Sequence, residues 1–379
     1  MSVKNKVVRS TLICYLIIAV VFVAIRTLSA FGLLNFLGAW ADYVFNIVVQ
    51  IGLLLCVSIF LFSKLSKKKS GSVCHFFGMR KISGKAIWMS IGIGAMVFLL
   101  NIFVASFFNV ILQLFGYNFS SSSQGGSYPF YMLIVNVIFT AILPGLCEEV
   151  AHRGLVLHGL SPLGWKKAVI ISGLLFGLMH MNIEQFFYAT IIGLFVGWLS
   201  VGCGSIFPAI IVHFMNNFLN VYISFSQSNG LVIGRLYSAF ITALTSNFYL
   251  GIIFMIILCA LLVWGIFTLS IKLQKERASG TINELKNVLV KQIIKQDYMH
   301  EIEKSQAEIL GKEIAEALPL EENLDLEKTG SEVGLSSEIE DEMMREEDFK
   351  MDTVNKILLG TIFALLVGIT LFTFIWGVL

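Results

Sequence analysis

Apolar runs dominate the chain and are separated by short polar segments. They fall at 11–34, 43–62, 87–115, 131–160, 168–181, 184–201, 206–225, 243–270 and 357–379. A helix needs about 20 mostly apolar residues to cross a bilayer. A backbone in lipid must satisfy its own hydrogen bonds, which helices do within one segment. The pattern therefore predicts an all-α fold: a polytopic membrane helix bundle of about nine transmembrane helices, an eight-helix core plus one. Pro144 predicts a kink one turn before a pair of glutamates.

The polar segments differ in charge, and this orients the bundle. Lys4, Lys6 and Arg9 precede the first run, and a loop with Lys64, Lys67, Lys68, Lys69, Arg80, Lys81 and Lys85 follows the second. Lys166 and Lys167 mark a turn, and Lys272, Lys275 and Arg277 follow the eighth run. Cytoplasmic loops carry the excess of Lys and Arg. These ends are expected in the cytoplasm, with the N-terminus inside and the C-terminus, after nine crossings, outside. The loop at 118–127 is rich in Ser and Gly, uncharged and expected outside. Arg26 interrupts the first run and either pairs inward or snorkels.

A third kind of sequence lies at 281–350. It is rich in Glu, Lys and Gln, with partial helical periodicity at Ile282, Leu285, Leu289 and Ile293, broken at Pro319 and acidic thereafter. It reads as a solvated cytoplasmic insert, helical or partly disordered, with a surface available to a protein partner. Three regions follow: a transmembrane bundle at 1–271, the charged insert at 272–350 and a last transmembrane helix at 351–379.

Composition narrows the class. Of 379 residues, 56% are hydrophobic and 14% charged, against about 25% charged in soluble proteins. One water-soluble core cannot hide that much apolar surface, so the bilayer is the first partner. The net charge of +2 carries no nucleic-acid signal. Six cysteines (Cys14, Cys56, Cys74, Cys147, Cys203 and Cys259) show no CxxC and no disulfide spacing, and read as packing residues. The first run is longer than a signal-peptide core and lacks a clear cleavage site, so it is expected to be retained. No organelle address is evident; in a prokaryote the expected location is the cell membrane.

Chemistry concentrates in LPGLCEEVAHRGLVLHGL at 143–160, where two carboxylates, two histidines and an arginine interrupt an apolar run. Ionisable groups at membrane depth are costly and mark functional sites. Four of the six histidines fall between Glu148 and Asn217. Three patterns stand there: EExxxR at Glu148, Glu149 and Arg153; FxxxH at Phe176 and His180; HxxxN at His213 and Asn217. A spacing of four puts Glu149 and Arg153 on one helix face, where they pair. Glu148, about 100° around the helix, is left free for other work. Counting rise from the intervening turns brings Glu148, His180, His213 and Asn217 to similar depth. They are expected to converge on a cavity open toward the cytoplasm.

No Ser or Cys stands beside a histidine as a nucleophile. A glutamate with a histidine can hold and deprotonate a water, and a second histidine with an amide can donate to a developing oxyanion. That is a site for peptide hydrolysis by activated water.

The three patterns, in this order on successive helices over about 131–225, resemble the CAAX protease and bacteriocin-processing family of intramembrane endopeptidases, also called Abi or type II CAAX prenyl endopeptidase-like. The resemblance implies that Glu148 activates water with help from His180, that His213 and Asn217 stabilise the oxyanion, and that Glu149 and Arg153 support the site. It implies a membrane-associated peptide or protein as substrate, either a CAAX-type tail or a bacteriocin- or leader-like peptide. His152 stands where the family often has an aromatic residue, and the insert and last helix lie outside its core. No cofactor is required in this reading. The alternative is zinc on Glu148, His180 and His213 with an open water position, although no HExxH is present. Two other classes compete: a non-proteolytic membrane immunity or scaffold protein acting through the insert, and a proton-coupled transporter. The transporter reading sits badly with a polar cluster confined to three consecutive spans.

Overall fold

A computed structural model describes residues 2–33, 38, 41–67, 69–118, 127–247, 249–279 and 349–378. Met1–Gln274 with Asp348–Leu379 forms one compact unit, described below; of the second, Lys275–Glu347, only 275–279 are described. Residues 280–348 of the expected insert and most of the 118–127 loop lie outside the described residues.

The described residues are helical, without strands. In chain order the helices are α1 Val3–Ala30, α2 Ala41–Ser66, α3 Ser70–Phe76, α4 Gly84–Leu114, α5 Phe130–Leu157, α6 Trp165–Met179, α7 Ile183–Cys203, α8 Phe207–Ser228, α9 Val232–Ser246, α10 Tyr249–Ser279 and α11 Thr353–Val378. Among the described residues seven of them (α1, α2, α4, α5, α7, α10 and α11) are long and apolar enough to cross a membrane. The remaining two of the nine expected runs are also helices but miss that standard. α6 has only 15 residues, and α8 carries His213, Asn216, Asn217 and Asn220. Between the seventh and eighth apolar runs, where the sequence reads as a connection, α9 forms around Arg235: Val232, Ile233, Leu236 and Phe240 recur at helical spacing. The eighth run consequently begins at Tyr249 rather than 243, with the Asn247 side chain accepting from the Leu250 N–H at 3.1 Å.

Helix starts follow local chemistry. Ser83 caps α4 by accepting from the Ala86 N–H at 3.1 Å, and Asn182 caps α7 by accepting from the Glu184 N–H at 2.8 Å. α5 widens into π-type turns at Val137–Ile142 and Val150–Leu157, on either side of an α-helical stretch that starts at Leu143. Pro144 has no N–H for the Thr140 carbonyl four residues back. Asn217 of α8 donates its Nδ2 to that carbonyl at 3.1 Å.

The bundle has two polar ends. At the first, which carries the lysines, Arg9 pairs with Asp352 at 2.8 Å, the Ile206 N–H donates to the Gly78 carbonyl at 3.0 Å, and Ser205 donates to the Arg80 carbonyl at 2.7 Å. At the far end Tyr117 donates to Glu184 at 3.0 Å and stacks on Phe374, while Phe130 meets Phe225 edge-on. Burial and the Glu184 carboxylate push the Tyr117 phenol up to about 12, so it serves as a neutral donor.

α6 and α7 pack closely, and glycines permit it. A Cβ at Gly173 would stand 2.9 Å from the Leu194 nitrogen, and one at Gly177 would stand 2.8 Å from the Phe186 carbonyl oxygen. Small residues four apart let membrane helices approach at the backbone. Gly177→Val is expected to separate α6 from α7, cost about 1–3 kcal/mol through overpacking and lower the melting temperature in detergent. An unchanged melting temperature would refute this tight approach.

Candidate active site

α5 supplies two carboxylates with separate tasks. Glu149 and Arg153 are wholly buried, and Glu149 Oε1 accepts from Arg153 Nη1 at 2.9 Å. The same oxygen accepts from His213 Nδ1 at 2.9 Å. Arg153 also donates Nη2 to the Gly193 carbonyl on α7 at 3.0 Å, and its guanidinium carbon lies 4.5 Å from the Phe176 ring centre. This buried pair therefore ties α5 to α6, α7 and α8. A buried charge is tolerable only when paired and hydrogen-bonded.

Glu148 turns the other way, into a cavity of about 620 Å³. Its Oε1 accepts from Gln50 Nε2 of α2 at 2.9 Å, and its Oε2 stands 3.9 Å from His213 Nε2. Glu148, His180, His213 and Asn217 all line this cavity, together with His152 and Phe176. His213, rather than His180, is the imidazole within 4 Å of the Glu148 carboxylate among the described residues.

The imidazoles are fixed by bonds at Nδ1. His180 donates Nδ1–H to the Phe176 carbonyl at 2.9 Å, leaving Nε2 as the acceptor. His152 donates Nδ1–H to the Glu148 carbonyl at 2.8 Å, so its Nε2 accepts from the Tyr15 hydroxyl at 2.9 Å. A bond at one ring nitrogen sets the tautomer at the other. Phe176 stands among the three rings, edge to face with His152, His180 and His213 at centroid distances of 5.1, 5.2 and 5.5 Å. Asn217 spends one amide hydrogen on Thr140, and its Oδ1 accepts from Asn216 at 3.0 Å. Its second amide hydrogen is left for other use.

Gln50 and Tyr15 were not among the sequence candidates. Gln50 carried a usable signal, as a single amide inside the apolar run VVQIGLLL. Tyr15 carried none, because a tyrosine in an apolar helix is ordinary and its partner lies 137 positions away. Gln50→Leu removes a hydrogen bond to a charged group, an interaction worth about 1.5–3 kcal/mol. The expected result is a fall in kcat/KM of about 10- to 100-fold with intact membrane insertion, read from cleavage of a reporter peptide. A rate within twofold of the wild type, roughly 0.4 kcal/mol, would count against Gln50 as the residue orienting Glu148.

The cavity runs from the site toward the far end, whereas residue counting placed its mouth at the lysine end. Counting sets depth along a helix but is blind to which side is sealed. Beyond His152 toward the lysines, Tyr15, Phe62, Phe77, Leu155 and Leu157 are all wholly buried. Phe77 sits so close to Gly154 that a Cβ there would stand 2.9 Å from its ring.

Among the described residues no three His, Cys, Asp or Glu side chains are gathered closely enough to hold an ion.

Residues 130–219, spanning α5 to most of α8, match the family model described as Type II CAAX prenyl endopeptidase Rce1-like. The chain carries an Rce1-like domain. The match covers the segment that holds Glu148, Glu149, Arg153, His180, His213 and Asn217. Comparison with curated proteins and with solved structures gives no match. With its seven apolar helices, the Rce1-like chain is an integral membrane protein. Over residues 130–219 the chain is similar to CAAX-type intramembrane proteases.

Proposed function

We propose that the protein is an intramembrane endopeptidase that hydrolyses a peptide bond with a water activated by Glu148. The observation that carries this reading is the 3.9 Å gap between Glu148 Oε2 and His213 Nε2 inside a polar cavity. A water about 2.8 Å from each atom fits that gap. Both atoms accept, so they hold the water by its two hydrogens and direct its lone pair into the cavity. Glu148 takes one proton as the oxygen attacks the scissile carbonyl, then returns it to the departing amine. Gln50 orients the carboxylate, and Glu149 orients His213 through Nδ1. The second Asn217 amide hydrogen is the donor for the oxyanion, and His180 Nε2 offers a further station for the proton. In this arrangement His213 replaces His180 as the residue that holds the water with Glu148. No step is routed through zinc.

The substrate is a membrane-associated polypeptide, since the site lies among helices that cross the bilayer. The test compares small proteins by mass spectrometry in cells carrying the wild type or Glu148→Ala. A cleaved product that vanishes in the variant is expected. An identical peptide pattern would favour the scaffold reading. A chelator added to the purified enzyme is expected to leave the rate unchanged; loss restored by zinc would overturn the metal-free mechanism.

A further inference from the structure

Position along the helices shows where the cavity leads. On α5 its lining runs from Glu148 back through Pro144 to Thr140 and Phe139, toward the Phe130 end. On α2 it runs from Leu54 through Gln50 to Asn46, toward Ala41. On α4 it runs from Phe98 to Ala105, toward Leu114. On α8 it runs from His213 to Asn220, toward Ser228, and on α1 from Phe22 to Arg26, toward Ala30. All five helices carry the lining toward the same end, the one where Tyr117, Glu184 and Phe374 meet. The opposite end is closed by the buried layer of Tyr15, Phe62, Phe77, Leu155 and Leu157.

The two ends also differ in charge. Lys4, Lys6, Arg9, Lys64, Lys81, Lys85, Lys166 and Lys167 lie at the closed end, whereas among the described residues Arg26 and Arg235 are the basic side chains toward the far end. Lys and Arg in short loops are retained in the cytoplasm, largely independent of acidic residues. The closed end is therefore the cytoplasmic one.

The lining indicates what enters. Between the site and the mouth it carries the amides Asn46, Asn101, Asn182, Gln185, Asn216 and Asn220. Each offers both a donor and an acceptor, the pairing an extended peptide backbone needs. Apolar side chains such as Phe22, Ile102, Phe139 and Ile192 alternate with these amides, so side chains of an extended peptide find apolar contacts beside its backbone partners.

We propose that the cavity is entered from the extracytoplasmic side, and that the substrate is the outward-facing or exported segment of a membrane-attached polypeptide, taken in extended form. The substrate class rests on the hydrolase reading above; the side of entry does not. A tail lipidated in the cytosol would arrive at the sealed end.

The experiment labels intact cells with a membrane-impermeant maleimide. Asn220→Cys and, independently, Arg26→Cys place thiols in the open part of the cavity, and Lys81→Cys places one at the lysine end. The wild-type chain, with its six cysteines, sets the background, and equal amounts in the membrane establish that each variant folds. Labelling severalfold above background is expected for Asn220→Cys and Arg26→Cys in intact cells, and for Lys81→Cys only after permeabilisation. The proposal is overturned if neither cavity thiol reacts in intact cells, or if Lys81→Cys does. This readout does not depend on turnover, so failure of the hydrolase reading, an unchanged peptide pool in Glu148→Ala, is separately visible. With entry from outside established, products of the wild type are expected to carry extracytoplasmic sequence; products made only of cytoplasmic tails would overturn the substrate class.

Discussion

Purified Glu148→Gln is expected to insert and fold like the wild type while losing peptide hydrolysis by about 100- to 10,000-fold, the range for removal of a general base. The substitution is close to isosteric. A carbonyl oxygen still accepts from Gln50, whose Nε2 lies 2.9 Å from Oε1 in the wild type. What disappears is the anionic oxygen 3.9 Å from His213 Nε2, the atom proposed above to take the proton of the water. Because the contact to Gln50 persists, KM should change little and the loss should fall on kcat. The measurement is the cleavage rate of a membrane-anchored reporter peptide in liposomes. A variant with a tenth of the wild-type rate or more, a loss of at most about 1.4 kcal/mol, would remove Glu148 from the role of base.

The second large effect concerns stability. Arg153→Met leaves the Glu149 carboxylate buried beside His213 without its guanidinium, and Glu149→Leu leaves a buried guanidinium without its carboxylate. Breaking a buried pair by removing one partner costs about 3–5 kcal/mol. Each single variant should therefore melt well below the wild type and be depleted from the membrane. The double variant replaces both charges with apolar groups and should recover most of the loss, since residues in contact are not additive. It should nevertheless stay inactive, because His213 Nδ1 has lost its acceptor. Thermal melts of the four chains in detergent form the cycle. Additive losses in the double variant would show that the pair is not the unit described here.

Several features could be read directly from the residues. The i, i+4 spacing of Glu149 and Arg153 implied their pairing, because side chains at that spacing share a helix face in any fold. EExxxR, FxxxH and HxxxN named seven residues that line one cavity or form the buried pair beneath it. The amphipathic α9 was legible in its periodicity but was hidden beside the long run that became α10. The division of labour among the histidines was not legible. Both FxxxH and HxxxN read as a histidine facing a common spot, yet His180 spends Nδ1 on its own helix whereas His213 reaches across to Glu149. Asn217 is held in place by the carbonyl that Pro144 leaves unpaired, 77 positions away.

Local composition and period determined that this chain is helical, that it belongs in a bilayer and which side chains carry charge at depth. These follow from rules acting within one helix: apolar length, backbone self-satisfaction and the cost of burying an ion. Contacts between helices decided the rest: Gln50 on Glu148, Tyr15 on His152, Phe176 among three imidazoles, and the direction of the cavity. A cavity opens where side chains from distant helices fail to fill space, and that volume is a property of packing which no single stretch of residues encodes.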